Sequence, residues 1–227
     1  EQAKKEGRTY EPASTLLKRI LTERRRRWEE AELAKLTAKG KKPTDDKWKP
    51  KYEEPAAPDT DGLPELPEGW CWATADMLAS SIRNGCSTAP REKDGVRILR
   101  ISAVRSLACD VENVRFLPLP HDDYEDYFVQ PGDLLFTRYN GTPSLVGVCA
   151  VVRHLPAPTV HPDKLIRVQL LPGLEVGFVE IAANVGASRK HVESRIRTTA
   201  GQAGVSGADI KSLPIPLPPL AEQAHIR

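Results

Sequence analysis

PGDLLFTRYNGTPSLVGVCAVV, residues Pro131 to Val152, holds two apolar runs separated by one polar loop. Pro131-Gly132 is a turn signal, and Asp133–Thr137 after it is rich in Leu and Phe, as a mostly buried strand requires. Val146, Val148, Ala150 and Val152 recur at period two, the pattern of a strand with one core face. The spacing therefore predicts a hairpin whose connection is Arg138-Tyr139-Asn140-Gly141-Thr142-Pro143-Ser144. Turns favour Asn, Gly, Pro and Ser for backbone reasons alone, so this can be an ordinary long connection. It can equally read nucleic acid, because Arg pairs with guanine, Asn with adenine, and Thr with bases or the thymine methyl.

Outward from the hairpin, strand patterns recur on both sides. Upstream, Val96–Val104 alternates as a strand, Val111–Leu119 is strand-like, and His121–Phe128 reads as an acidic turn or short helix. Downstream, Leu165–Leu171 alternates around Arg167 and Gln169, as a half-buried strand does. Val176–Val185 and Ser188–Arg197 have helical spacing, and the second carries Arg189 and Lys190 on a basic edge. Two further polar loops stand out. Ser80–Lys93 carries Arg83, Asn84 and Ser87, and Thr198–Gly207 carries Thr198, Thr199, Gln202 and Ser206 in a run too glycine-rich for helix or regular strand. Ala208–Ser212 is a helical turn, Leu213–Pro219 an extended edge, and Leu220–Arg227 the start of a helix.

At the other end, residues 1–12 are a flexible lead-in. Ser14 can cap a helix over Ser14–Lys39, closed by Gly40, in which Leu17, Leu21, Trp28 and Ala31 share one face interrupted by Arg24. The run Arg24–Arg27 winds around this helix, as either a solvated surface or a contact for DNA backbone or partner. Residues 41–62 form a linker in which Pro43, Pro50, Pro55 and Pro58 oppose regular structure. The globular part then starts at Leu63 and runs to Pro214.

Length and a 40% hydrophobic content allow one substantial domain with an appendage. There is no apolar run of membrane-spanning length, no signal-peptide pattern and no initiating Met, which predicts a soluble piece of something longer, cytoplasmic by default. Net charge is only +2, with 16 Lys and Arg against 12 Asp and Glu in residues 1–60 and 17 against 19 in the remainder. Binding to DNA by bulk charge alone is thereby disfavoured, and local patches or partner subunits must supply phosphate contacts. The four cysteines lack CxxC pairing and the five histidines are scattered, so no metal is expected. No phosphate-binding GxxxxGK[ST], no GxGxxG after a strand, and no methyltransferase, nuclease or nucleophile motif is present.

LPEGW at Leu66–Trp70, VRILRISAV at Val96–Val104, PGDLLFTRYNG at Pro131–Gly141, VGVCAVV at Val146–Val152 and the glycine-rich Thr198–Gly207 loop, followed by GADIKSLPIPLPPLAEQ at Gly207–Gln223, together resemble the specificity subunit of type I restriction–modification systems. The last of these and PGDLLFTR are the most specific. The resemblance implies a mixed α/β target-recognition domain around a twisted sheet with a long projecting N-terminal helix. Its parts would be a spacer helix at 13–40, a linker at 41–62, the recognition domain at 63–214, and the start of the distal conserved helix at 215–227.

The resemblance further implies a prokaryotic, cytoplasmic, non-catalytic subunit without a cofactor. It would read one half of a bipartite site in double-stranded DNA, dock methyltransferase subunits, and meet the restriction and translocation subunit through the complex. The three polar loops are then expected to converge. Arg138 and Asn140 would read base edges, with Arg83, Asn84 and Gln202 as further candidates, and Arg189, Lys190 and Thr198 would hold phosphate oxygens. Ser87, Tyr139, Thr142, Thr199 and Ser206 complete the expected DNA-binding set. With the distal helix cut off at Arg227, the Leu17, Leu21 and Trp28 stripe is expected to lie uncovered and to bind a partner or a second copy. Two other readings remain: an interaction scaffold with no DNA readout, and the recognition fragment of a fused methyltransferase–nuclease.

Overall fold

In the computed structural model, which describes residues 10–40, 45–91, 93–199 and 201–226, the Pro131–Val152 stretch folds as the expected pair of strands. The lead-in over residues 1–9 and linker residues 41–44 lie outside the described residues. Helix α1 spans Ala13–Ala38. After a single turn at Lys49–Lys51 come β1 (Cys71–Thr74), the helical turn α2 (Ala75–Leu78) and β2 (Ala79–Asn84). Then follow β3 (Val96–Leu99), β4 (Val104–Arg105), β5 (Ala108–Cys109) and β6 (Val114–Leu117). The central stretch gives β7 (Leu134–Thr137), β8 (Tyr139–Asn140) and β9 (Cys149–Val151), with β10 (Thr159–Val160) and β11 (Leu165–Leu170) after it. The chain continues through α3 (Val176–Asn184), α4 (Gly186–Arg195), β12 (Arg197–Thr199), β13 (Gln202–Gly204), α5 (Gly207–Lys211), β14 (Pro214–Leu217) and α6 (Leu220–Gln223).

A four-stranded sheet in the order β2-β11-β7-β9 forms the centre, and every neighbouring pair in it is antiparallel. Both of its faces are covered. Leu134, Phe136, Cys149 and Val151 face a core shared with α1, α3 and α4, while Leu135, Ala150, Val152 and Leu165 face a second core beside β4. This corrects the expected alternation over Val146–Val152, all of whose side-chain-bearing residues are buried. A strand between two apolar layers carries hydrophobic residues on both sides. Each fully buried Leu or Phe contributes about 1.5–3 kcal/mol relative to exposure.

Several sequence-level expectations change for the same reason, that pairing partners distant in sequence override local composition. Arg83 and Asn84 lie in β2, paired with Arg167 and Ile166 of β11, and not in a loop. The glycine-rich Thr198–Gly207 run forms the hairpin β12–β13, and Val96–Val104 breaks after Leu99 into a helical turn. Arg167 is not on a solvated face: it is 6% exposed, donates to the carbonyls of Phe128 and Asp126, and lies 3.9 Å from the buried Asp133 carboxylate. Burial pushes Asp133 up and Arg167 down from their ordinary values.

Helix α1 does not present an uncovered stripe. Pro12, not Ser14, occupies its N-cap, and Ala13, Leu16, Leu17 and Ile20 are buried in the main core with Leu21 packed against it. Trp28 is covered by the strap that follows, its ring 6.1 Å from that of Trp48 and 5.3 Å from that of Tyr52. Arg24 ties strap to domain by donating to the Tyr52 hydroxyl at 2.8 Å and to the Ala79 carbonyl at 3.3 Å. The chain's own domain and strap therefore take the place that a partner was expected to take, and only the end of the helix, around the 43%-exposed Leu33, projects.

Candidate nucleic-acid interface

Strand β8, inside the hairpin connection, pairs antiparallel with β13 in the register Tyr139↔Gly204 and Asn140↔Ala203. That pairing brings the second and third polar segments together in a small sheet ordered β12-β13-β8. The backbone of Arg138 is held on both sides, its N–H donating to the Lys164 carbonyl at 2.8 Å and its carbonyl accepting from Val205 N–H at 3.0 Å. The first segment joins through the turn before β11. Cys86 N–H donates to the His161 carbonyl at 2.9 Å, and Asp163 N–H donates to the Cys86 carbonyl at 2.8 Å. Gly85 is required there, since a Cβ would collide with the carbonyls of His161 and Pro162.

Between these segments lies an open hollow of about 440 Å³ whose lining includes Tyr139, Asp163, Lys164, Arg197, Gln202 and Ser206. Arg138 contacts two of these lining residues: its guanidinium is 4.7 Å from the Tyr139 ring centroid, a cation–π distance. Its Nη1 donates to the Asp163 carbonyl at 3.3 Å and lies 3.7 Å from the Asp163 carboxylate. Asn140 is oriented by its own turn, its Oδ1 accepting from Thr142 N–H at 3.0 Å. Gln202 and Thr198 are exposed on the small sheet. Thr199 pairs with Gln202 in the backbone register, and its side chain is not among those described.

Other expected residues sit differently. Ser206 is the N-cap of α5, its hydroxyl and N–H both bonded to the Asp209 carboxylate, so its role is structural. Burial raises the Asp209 pKa, but the bonds from Ser206 and the nearby Arg197 and Arg195 outweigh it and leave it lowered. The Arg189 guanidinium is engaged internally, donating to the carbonyls of Val146 at 2.7 Å and Ser144 at 3.3 Å and to Glu193 at 2.9 Å. It anchors the base of the hairpin connection instead of facing outward to a phosphate. Lys190 lines a separate, larger cleft of about 990 Å³ with Arg195 and Lys211, across α5 from the hollow. Arg83 pairs with Asp126 at 3.3 Å and covers the Tyr127 ring, while Asn84 and Ser87 are exposed at the end of β2 and just beyond it.

Asp163 and Lys164 were not singled out in the sequence. The His161-Pro162-Asp163-Lys164 turn that holds them looks like any polar connection, and only the tertiary pairing makes it the hub of the three segments.

The chain is 40% identical over 153 residues to the type I restriction enzyme EcoKI specificity subunit of Escherichia coli strain K12, a match covering 66% of this chain and 33% of that protein. It is 30% identical over 228 aligned positions to the EcoEI specificity subunit of Escherichia coli, covering 95% of this chain and 35% of that protein. The chain is a homologue of type I restriction enzyme specificity subunits. It spans about a third of the length of these curated relatives, in their C-terminal portion. No protein-family model matches it. Among solved structures, the HsdS subunit of Thermoanaerobacter tengcongensis aligns at a TM-score of 0.46 with 18% identity, covering 94% of this chain and 46% of that one. The specificity subunit from M. genitalium aligns at 0.45 with 14% identity, covering 69% and 36%. Neither score reaches one half, and the relationship to the family stands on the sequence matches.

Proposed function

We propose that this chain is a non-catalytic DNA-recognition unit that reads one half of a bipartite site in double-stranded DNA for a type I restriction–modification complex. The observation that supports it most is the β8–β13 pairing, which joins two polar segments distant in sequence and brings Asn140, next to Arg138, beside the strand that begins with the exposed Gln202. These are donor-rich side chains of the kinds that pair with guanine and adenine edges. Lys164 and Arg197 at the same hollow supply the positive charge that phosphates require, in agreement with a chain whose net charge is small and whose binding must be local.

Residues 13–40 act as the end of a spacer helix. The distal segment starts after Leu217 and not at residue 215, because Ile215, Pro216 and Leu217 pair with β1 as part of β14. Its helical turn at Leu220–Gln223 and the spacer helix together dock the methyltransferase subunits in a prokaryotic cytoplasm. No cofactor is held by this chain. Titrating it against a half-site duplex and a scrambled duplex over a salt series tests the reading. Sequence discrimination that persists as the salt rises supports it, and equal affinity for both duplexes with a steep salt dependence refutes it. A pull-down of methyltransferase subunits by the unsubstituted chain and by a Leu33→Asp variant, which leaves the buried Ala13, Leu16, Leu17 and Ile20 in place, tests the docking.

A further inference from the structure

We infer that Asp163 is a specificity-determining residue which, beside Arg138, recognises the major-groove edge of a G·C pair. This rests on the DNA-reading function proposed above and names the base pair that one part of the surface takes. Arg138 lies beside Asp163, which lines the hollow, Nη1 to Oδ2 3.7 Å, with side chains 22% and 41% exposed. An arginine only donates hydrogen bonds and an ionised carboxylate only accepts them. Arg138 is the more buried of the two, its Nε buried with no hydrogen-bond partner among the described residues, while the Asp163 carboxylate keeps enough exposure to meet a ligand.

On a surface that meets phosphates, a carboxylate weakens binding to every duplex unless it finds a donor. The donors in the major groove are the amino groups of cytosine and adenine, while guanine and thymine present only acceptors. A G·C pair sets guanine O6 and N7 next to the cytosine N4 amine, which is the complement of a guanidinium beside a carboxylate. Adenine·thymine also offers an amine, but lacks the two guanine acceptors that match the arginine fork. Both side chains are carried on held backbone: Asp163 N–H on Cys86 at 2.8 Å and Arg138 N–H on Lys164 at 2.8 Å. The backbone at both positions is therefore fixed before DNA arrives.

The test is selection from a randomised duplex pool by the full chain in complex with its methyltransferase subunits, comparing the unsubstituted protein with Asp163→Asn and Asp163→Ala, each checked for an unchanged thermal midpoint. The isosteric Asn variant keeps the test intact if Ala disturbs the turn. The unsubstituted protein is expected to enrich G·C at one position by roughly tenfold or more, and the variants to lose that preference there alone. Their affinity for scrambled DNA is expected to stay equal or rise, since a negative charge is gone. The same motif at the same strength in Asp163→Asn overturns the inference and leaves the DNA-reading function standing. So does a uniform loss on all sequences, which makes Asp163 a prop for Arg138. Absence of any motif in the unsubstituted protein overturns both.

Discussion

Gly204 lies against the ring of Tyr139: a Cβ at position 204 would overlap the ring carbons Cδ1 and Cε1 and stand 3.1 Å from the Arg138 carbonyl. The seam between β8 and β13, on which the candidate interface depends, is therefore closed by the absence of a side chain. Gly204→Ala is expected to destabilise the fold by about 1–3 kcal/mol through overpacking and to weaken sequence-specific binding more than binding to scrambled DNA. Thermal denaturation and paired titrations check this, and an unchanged midpoint would show that the seam can relax.

Arg189 acts on the interface from below. Its side chain is 16% exposed and reaches the carbonyls of Ser144 and Val146. Arg189→Ala is expected to cost about 1–3 kcal/mol of stability by leaving the carbonyl of the buried Val146 unpaired. The salt slope of DNA binding should stay as it was, whereas loss of a phosphate contact lowers it by about one.

His161 makes the fold sensitive to acid. It is fully buried, its Nδ1 lies 2.7 Å from the Tyr127 carbonyl, and burial, helped by the nearby Arg167 and Arg83, holds its pKa down from 6.5 to about 4. The unfolded chain takes up this proton near the ordinary value, while the folded chain refuses it until about pH 4. Stability therefore rises with pH across that window and falls on acidification through it, by up to about 3 kcal/mol at its lower end. Urea unfolding at about pH 7, 5.5 and 4.5 measures the slope, which His161→Gln should flatten.

The strap on α1 is separable from the reading surface. Removing the ring at Trp28 takes away the stack with Trp48 and Tyr52. Trp28→Ala is expected to speed limited proteolysis within residues 45–54 and to cost about 1–2 kcal/mol of stability, with base preference unaltered. A shift in base preference would mean that the strap shapes the interface.

What could be read from sequence was the local pattern. The apolar runs of β7 and β9 and the helical spacing of α3 and α4 announce their elements, and Gly and Pro mark the turns between them. What could not be read was long-range pairing. Ala79–Asn84 has the composition of a loop and becomes a strand because β11 offers it a ladder. The glycine-rich Thr198–Gly207 run nevertheless forms strands, with Gly204 clearing the Tyr139 ring and Gly201 at positive φ in the turn. Arg189 and Lys190 are neighbours in sequence with the same charge, yet a helix turns them to different surroundings. Asp163 was illegible for the same reason, since only the pairing of β7 with β11 brings it beside Arg138.

Selection of a randomised duplex pool by this chain with its methyltransferase subunits, followed by sequencing, tests the central claim most directly. The account predicts an enriched motif of a few contiguous base pairs, with Arg138→Ala costing about 1–3 kcal/mol and relaxing one position of it. Recovery of DNA with no motif, its affinity governed by salt alone, would contradict the account and leave a scaffold that binds DNA by charge.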